Sequence, residues 1–420
     1  MSRARTSPLK RFFSLLGPGL TTGASDNDPS GIATYSIVGA QLGTSLLWTA
    51  FVTMPLMGFV QFMCARIGMV TGRGLAGALR QLCPRWLLVI AAAGLLGANI
   101  ITIGADLAGM SDAGQMLTGI NSHLLTIIFG AGIAFAIVKF RYNQIAFVLK
   151  WLTLALFAYV ITAFIVKPHW GSILHDTFIP SWPHGKKAWQ SLVAVLGTTI
   201  SPYLFFWQTS QEVEEEKAQG RRLLVSREGA SKQEIKHRGI DVGVGAFFSN
   251  LIMYFILLTA ALTLHPHHVT NIESSRQVAQ ALEPLAGSFA AILYTIGLIG
   301  AGFLAIPILA GSSAYAFAET FAWKEGLDMP IRSARYFYAL IGVSTLLGIA
   351  MVFVKINPIE ALFLASVING VLAPFLLVAI LIISSNRILM KRQPSPWMER
   401  ILVGLTAVIM FIAAGAMFFV

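Results

Sequence analysis

The residues best able to do chemistry stand where a membrane protein least tolerates them. In Gly17-Pro18-Gly19-Leu20-Thr21-Thr22-Gly23-Ala24-Ser25-Asp26-Asn27-Asp28-Pro29-Ser30-Gly31, two carboxylates, an amide and a proline interrupt a stretch flanked by Phe12–Leu16 and Ile32–Val38. The whole has the length of a membrane-spanning helix, yet proline breaks helices and ionisable groups at bilayer depth are expensive unless they serve a function. The segment is therefore predicted to split into two half-helices, leaving oxygens that only a cavity or a bound substrate can satisfy. Asp28-Pro29 is the expected centre of a transport site. Asp28 supplies charge for a cation and Asp26 can add a second. The carbonyls near Ser25 and Asn27 lie at the negative end of the first half-helix.

The same logic recurs in Gly197-Thr198-Thr199-Ile200-Ser201-Pro202-Tyr203, where small residues and hydroxyls precede a proline in a second apolar run. A matched pair of interrupted helices is the best sequence pointer to a transporter built from inverted repeats, with its site at the midplane. Asp106, in Ile103-Gly104-Ala105-Asp106-Leu107-Ala108, is either a deep carboxylate needing a partner or an interfacial one. Ser366 and Asn369 either line the cavity or hydrogen-bond across helices. His265-Pro266-His267-His268 could collect metal at the outer entrance, but a flexible loop defines no coordination geometry. Cys64 and Cys83 lack metal-like spacing and read as reduced thiols.

The elements that must hold these residues are membrane helices. The chain is 56% hydrophobic and 12% charged over 420 residues, with mean hydropathy +0.72. Apolar runs long enough to span, roughly 17–25 residues each, fall at 12–40, 45–66, 86–110, 123–139, 145–166, 188–211, 241–264, 285–318, 333–354, 358–385 and 400–419. An all-α polytopic membrane protein of about eleven transmembrane helices is expected. Net charge +11 would suit a nucleic-acid binder, but location decides against it. All but five of the 30 Lys and Arg residues fall on one side; the five are Lys167, Lys186, Lys187, Arg276 and Lys355. The positive-inside rule then sets the N-terminus in the cytoplasm and the C-terminus outside. Arg3, Arg5, Lys10 and Arg11 belong to the inner side, and the following apolar segment is expected to be a span, since it runs on into Gly, Pro and Asp without a signal-like core.

On these residues the chain resembles the Nramp family of proton-coupled divalent metal transporters. The likeness rests on Gly17-Pro18-Gly19 before Asp28-Pro29, on Ala65-Arg66 through Val70-Thr71-Gly72-Arg73, on Ala105-Asp106-Leu107-Ala108, on Gly197 to Pro202 and on Pro374. It implies a LeuT-type inverted-repeat fold with helices 1 and 6 interrupted. The single domain 1–420 would comprise a first five-helix repeat at 1–166, a second at 188–385 and an extra helix at 400–419. The resemblance makes Asp28 a metal ligand, assigns Thr198 the span-six carbonyl ligand and places Ser201 where the family has methionine. The family asparagine becomes Gly31, the histidine becomes Tyr203, the glutamine aligns with Ser366, and the second span-three acid is Gly109. Such departures resemble the Nramp-related magnesium transporters.

The expected function is secondary transport of a divalent cation by alternating access. Oxygen donors without thioether sulfur favour a hard ion such as Mg2+ or Mn2+, and small residues at Gly31 and Ser201 would leave room for a partly hydrated one. Asp106 remains as a proton carrier, with coupling weak or absent. The alternative is a transporter of the same fold for a small organic cation or amino acid. No enzymatic motif is found; no cofactor is expected beyond the transported ion, and the partners are the ion and the lipid bilayer of the cell (inner) membrane.

Overall fold

A computed structural model describes residues 17–139, 153–181, 185–269, 272, 274–354 and 357–419. The expected Phe12–Leu16 segment, residues 145–152 of span five, His184 and the basic residues Arg3, Arg5, Lys10, Arg11, Arg141, Lys150 and Lys355 lie outside the described residues.

The described residues are almost entirely helical and contain no strand. In chain order the helices are α1 (Pro18–Ser25), α2 (Pro29–Leu42), α3 (Trp48–Thr71), α4 (Leu75–Leu79), α5 (Arg85–Thr118) and α6 (Ser122–Lys139). Next come α7 (Phe157–Ile165), α8 (Trp170–Phe178), α9 (Lys186–Thr199), α10 (Pro202–Ala218), α11 (Leu224–Arg227) and α12 (Lys232–Thr263). The chain continues with α13 (Ser275–Gln280), α14 (Glu283–Ala286), α15 (Ala290–Phe321), α16 (Arg335–Val352), α17 (Pro358–Ser385) and α18 (Trp397–Phe419).

Among the described residues seven helices are long and apolar enough to cross a membrane: α3, α5, α12, α15, α16, α17 and α18. The first and sixth expected spans are divided into α1/α2 and α9/α10, α6 carries a shorter apolar stretch, and α7 is the described end of the fifth.

Both divisions have the same local cause. Pro29 and Pro202 stand at the first position of α2 and α10, where the missing N–H is harmless and the fixed φ starts a helix. The residue before each is extended, Asp28 at φ −71°, ψ 172° and Ser201 at φ −80°, ψ 131°. Proline alone does not break the chain, because Pro55, Pro307 and Pro374 sit inside continuous α3, α15 and α17. What distinguishes the broken segments is the run of small and polar residues just before the proline.

The interrupted helices are buried by close backbone crossings. A Cβ on Gly23 of α1 would come within 2.5 Å of Gly245 of α12, and one on Gly197 of α9 within 2.2 Å of Gly370 of α17. With lipid no less apolar than a leucine side chain, such small-residue contacts carry helix association in membranes.

Candidate functional site

The break between α1 and α2 begins at Asp26, the C-cap of α1, and ends at Asp28, whose Oδ1 accepts from Gly31 N at 2.7 Å and so caps α2. Ser25, Asp26, Asn27 and Asp28 are all buried, as are Thr198 and Ser201 of the second break. The two breaks meet at Gly31. A Cβ placed there would stand 3.0 Å from Thr198 Oγ1, 3.3 Å from Asp28 Oδ1 and 3.4 Å from the Asp26 carbonyl oxygen. A hydroxyl, a carboxylate and a main-chain carbonyl from two discontinuous helices thus converge on one small region.

The electrostatics favour a cation. The C-terminal ends of α1 and α9 bring partial negative charge, while Asp26, Asp28 and Asp106 are buried without an ion pair to Lys, Arg or His among the described residues. Asp106 joins the cluster through Ser30, whose N–H and hydroxyl donate to its Oδ1 at 3.1 and 2.7 Å. The donors are oxygens throughout: among the described residues no three His, Cys, Asp or Glu side chains gather into a metal-binding group.

The other expected site residues each have defined partners. Gly31 carries no side chain, and the three oxygens approach the place its Cβ would take. Ser201 turns its hydroxyl back to the carbonyls of Thr198 and Gly197, at 2.7 and 2.9 Å, so it tethers the end of α9. Ser25 donates to Thr22 O at 2.8 Å, and its own carbonyl receives the Tyr203 hydroxyl at 3.3 Å. Asp26 and Asn27 direct their side chains to Ser249 of α12. Ser366 accepts from Thr34 Oγ1 at 2.9 Å and Asn369 donates to Thr102 Oγ1 at 3.3 Å, so both brace α2 and α5 from α17. At Gly109 a Cβ would be 2.8 Å from Leu362 Cδ1, so an apolar side chain fills the place of the family's second acid.

Three contributors were missed as site residues: Ser30, Tyr203 and Ser249. Ser30 and Tyr203 each lie one residue beyond a breaking proline, a usable signal; Ser249 is over 200 positions away and gave none. The histidine loop forms no cluster. His265 Nδ1 is 2.8 Å from Ala40 O and His267 Nδ1 is 2.7 Å from Thr263 O, so each is engaged with a separate main-chain carbonyl.

Toward the basic face a charged clasp closes over α1. Asp241 of α12 accepts from the main-chain N–H groups of Gly17, Gly19 and Leu20 at 2.8, 2.8 and 3.0 Å. Arg238 pairs with Asp241 at 2.7 Å, with Glu212 of α10 at 2.8 Å and with Glu215. One arginine thereby ties the starts of α1 and α12 to the far end of α10.

A family model described as natural resistance-associated macrophage protein-like (Nramp) matches residues 19–420. The divalent metal cation transporter MntH of Caldanaerobacter subterraneus subsp. tengcongensis is 27% identical over 423 residues, covering 98% of this chain and 94% of that protein. The crystal structure of the Eremococcus coleocola manganese transporter, in complex with an aromatic bis-isothiourea compound, superposes with a TM-score of 0.77 at 16% identity, over 99% of this chain and 87% of that one. The crystal structure of MhsT with L-phenylalanine has the same fold at a TM-score of 0.61 and 16% identity, over 94% and 98% of the two chains.

Proposed function

Since the chain belongs to the Nramp family, we propose that it is a secondary transporter of divalent metal cations working by alternating access, and that its ion binds where the two helix breaks meet. The observation that carries this reading is the convergence of Thr198 Oγ1, Asp28 Oδ1 and the Asp26 carbonyl within 3.4 Å of one point beside Gly31. The relatives named as divalent metal or manganese transporters support the substrate class.

Asp28 provides the principal charge, and Thr198 offers hydroxyl and carbonyl oxygens. The Ser25 carbonyl, which accepts from the Tyr203 hydroxyl at 3.3 Å, is a further oxygen of this region. No sulfur lies in this set, so hard ions, Mn2+ and Mg2+, are preferred to soft ones such as Cd2+. Buried carboxylates without cationic partners disfavour a substrate that presents its own carboxylate, which weighs against an amino acid.

Proton coupling is weak on this reading, because Leu362 fills the space beside Gly109 and Asp106 is left without a second acid there. The basic face is cytoplasmic by the positive-inside rule, which puts the N-terminus inside and the C-terminus outside. The two repeats divide at 1–166 and 188–385, each opening with an interrupted helix, and the role requires no enzymatic group or cofactor.

The test is uptake of Mn2+ and Mg2+ into proteoliposomes with internal pH followed in the same vesicles. Parent protein should accumulate both with little acidification, and Asp28→Asn should lose uptake while keeping its size-exclusion profile. Uptake by Asp28→Asn at the parent rate would place the ion elsewhere and sink the reading.

A further inference from the structure

A pocket on the basic face gathers polar groups around open space. It has a volume of about 290 Å³ and is walled by three separate connections. Arg73 and Gln81 come from either side of α4, Glu228 from between α11 and α12, and Asn386, Ile388 and Lys391 from between α17 and α18. These walls are tied to one another. Gly229 N–H donates to Val70 O at 2.9 Å, Ala230 N–H donates to Gln393 Oε1 at 3.2 Å, and Lys391 pairs with Glu228 at 2.8 Å. The cavity is therefore formed in advance, and a ligand is spared the cost of ordering it.

Charge identifies what fits there. Two cations stand against one carboxylate, and that carboxylate is engaged by Lys391. Arg73 has no ion pair among the described residues, so its forked donors are left for a ligand that brings its own negative charge. Arg387 and Arg392, exposed in the same segment as Lys391, add positive potential. Phosphate oxygens match such a fork.

Position identifies the carrier of that phosphate. The pocket lies where α17 ends at Ser385 and where α5 and α18 begin at Arg85 and Trp397, and all three helices are long and apolar enough to span. Trp86 and Trp397 are 64% and 67% exposed at those starts, as tryptophans are at the headgroup level of a bilayer. Ile388, on the pocket wall, is 88% exposed although its N–H is held by Asn386 Oδ1 in a polar turn. That exposure is unfavourable in water and favourable among acyl chains.

We propose that this pocket binds the phosphodiester headgroup of an anionic glycerophospholipid, with Arg73 and Lys391 holding the phosphate and the acyl chains running out past Ile388. The lipid would fasten the connection after α3 to the one after α17 from the membrane side. The site stands independently of the divalent reading.

Native mass spectrometry of the purified protein, titrated with dioleoylphosphatidylglycerol or dioleoylphosphatidylcholine, tests the proposal. The two lipids share their chains and differ in net charge. The first phosphatidylglycerol should bind about tenfold or more tightly than the first phosphatidylcholine, since each basic residue near the surface strengthens binding of an anionic headgroup severalfold. Arg73→Gln with Lys391→Gln should remove the preference, whereas Lys324→Gln with Arg335→Gln, which takes two exposed charges from another connection, should keep it. Glu228→Gln should tighten phosphatidylglycerol binding by removing the competing anion. Ile388→Ser, a change at an exposed position, should weaken it severalfold and keeps the test decisive if the arginine variant misfolds. Equal binding of both lipids by the parent, or a preference that survives in a folded Arg73/Lys391 variant, would overturn the proposal. Weaker binding by Glu228→Gln would also overturn it, by making Glu228 the partner of an ammonium headgroup. Displacement by glycerol phosphate at the lipid's own concentration, with Ile388→Ser without effect, would assign the pocket to a soluble phosphate and overturn the lipid.

Discussion

Replacing Gly31 by alanine separates binding from folding. Gly31 is the third residue of α2, where alanine is favoured over glycine by roughly 0.5–1 kcal/mol. The added methyl, however, enters the space shared by Thr198 Oγ1, Asp28 Oδ1 and the Asp26 carbonyl, 3.0 Å from the first and 3.3 Å from the second. The threonine side chain must move by a few tenths of an ångström, which offsets part of the helical gain and leaves net stability near the parent value. A cation has no such compromise, because the methyl offers it no electron pair and holds the oxygens apart. Disturbing the support of a metal ligand typically lowers affinity by about 10–100-fold, which is about 1.4–2.7 kcal/mol. Calorimetric titration with Mn2+ beside a thermal melt in the same detergent reads both quantities. A Gly31→Ala protein that melts like the parent and binds Mn2+ equally well would refute the placement of the ion at this point.

Other outcomes follow from the surrounding contacts. Tyr203→Phe removes the hydroxyl that competes for the Ser25 carbonyl; at about 0.5–1.5 kcal/mol for a hydrogen bond, Mn2+ affinity should rise several-fold, and a fall would make Tyr203 a ligand instead. Asp241→Asn removes the charge that holds Arg238 and the first N–H groups of α1, so amide hydrogen exchange over residues 18–25 should quicken by about tenfold or more, given about 1.5–3 kcal/mol for a charged hydrogen bond; unchanged exchange would deny the clasp its role. In the connection after α15, burial and then the neighbouring Glu319 raise the pKa of Glu325 well above its usual 4.5. The folded state therefore holds a proton that the unfolded chain has released, and this group's contribution to stability is lost as pH rises above the unfolded value. Glu325→Gln should accordingly melt higher than the parent at pH 8, with the difference closing below about pH 4.5.

Much was legible because it is local. A proline preceded by small and polar residues interrupts a helix whatever surrounds it, so both breaks appear at Asp28-Pro29 and Ser201-Pro202 as read from the chain. The apolar runs announce membrane helices for the same reason, since burial in lipid asks only for length and composition. In the structure Asp28 and Thr198 lie together at the two breaks, and Ser30 links Asp106 of α5 to them.

The partners of each polar group at the breaks were not legible. The chain turns between Asp26, the C-cap of α1, and the extended Asp28, so the two carboxylates serve different partners, and the one that Asp26 finds is Ser249, 223 positions away. Ser201 could have pointed into the site or back along α9, and the nearby carbonyls of Gly197 and Thr198 decide for the latter. Gly31 shows in the sequence only a missing side chain, whereas the approach of Thr198 Oγ1 to within 3.0 Å of its Cβ place comes from another helix. Composition and local sequence thus determine where the membrane helices lie and where two of them break. The use of each polar group depends on helix rotation and on contacts between segments far apart in the chain, and those exist only once the bundle has assembled.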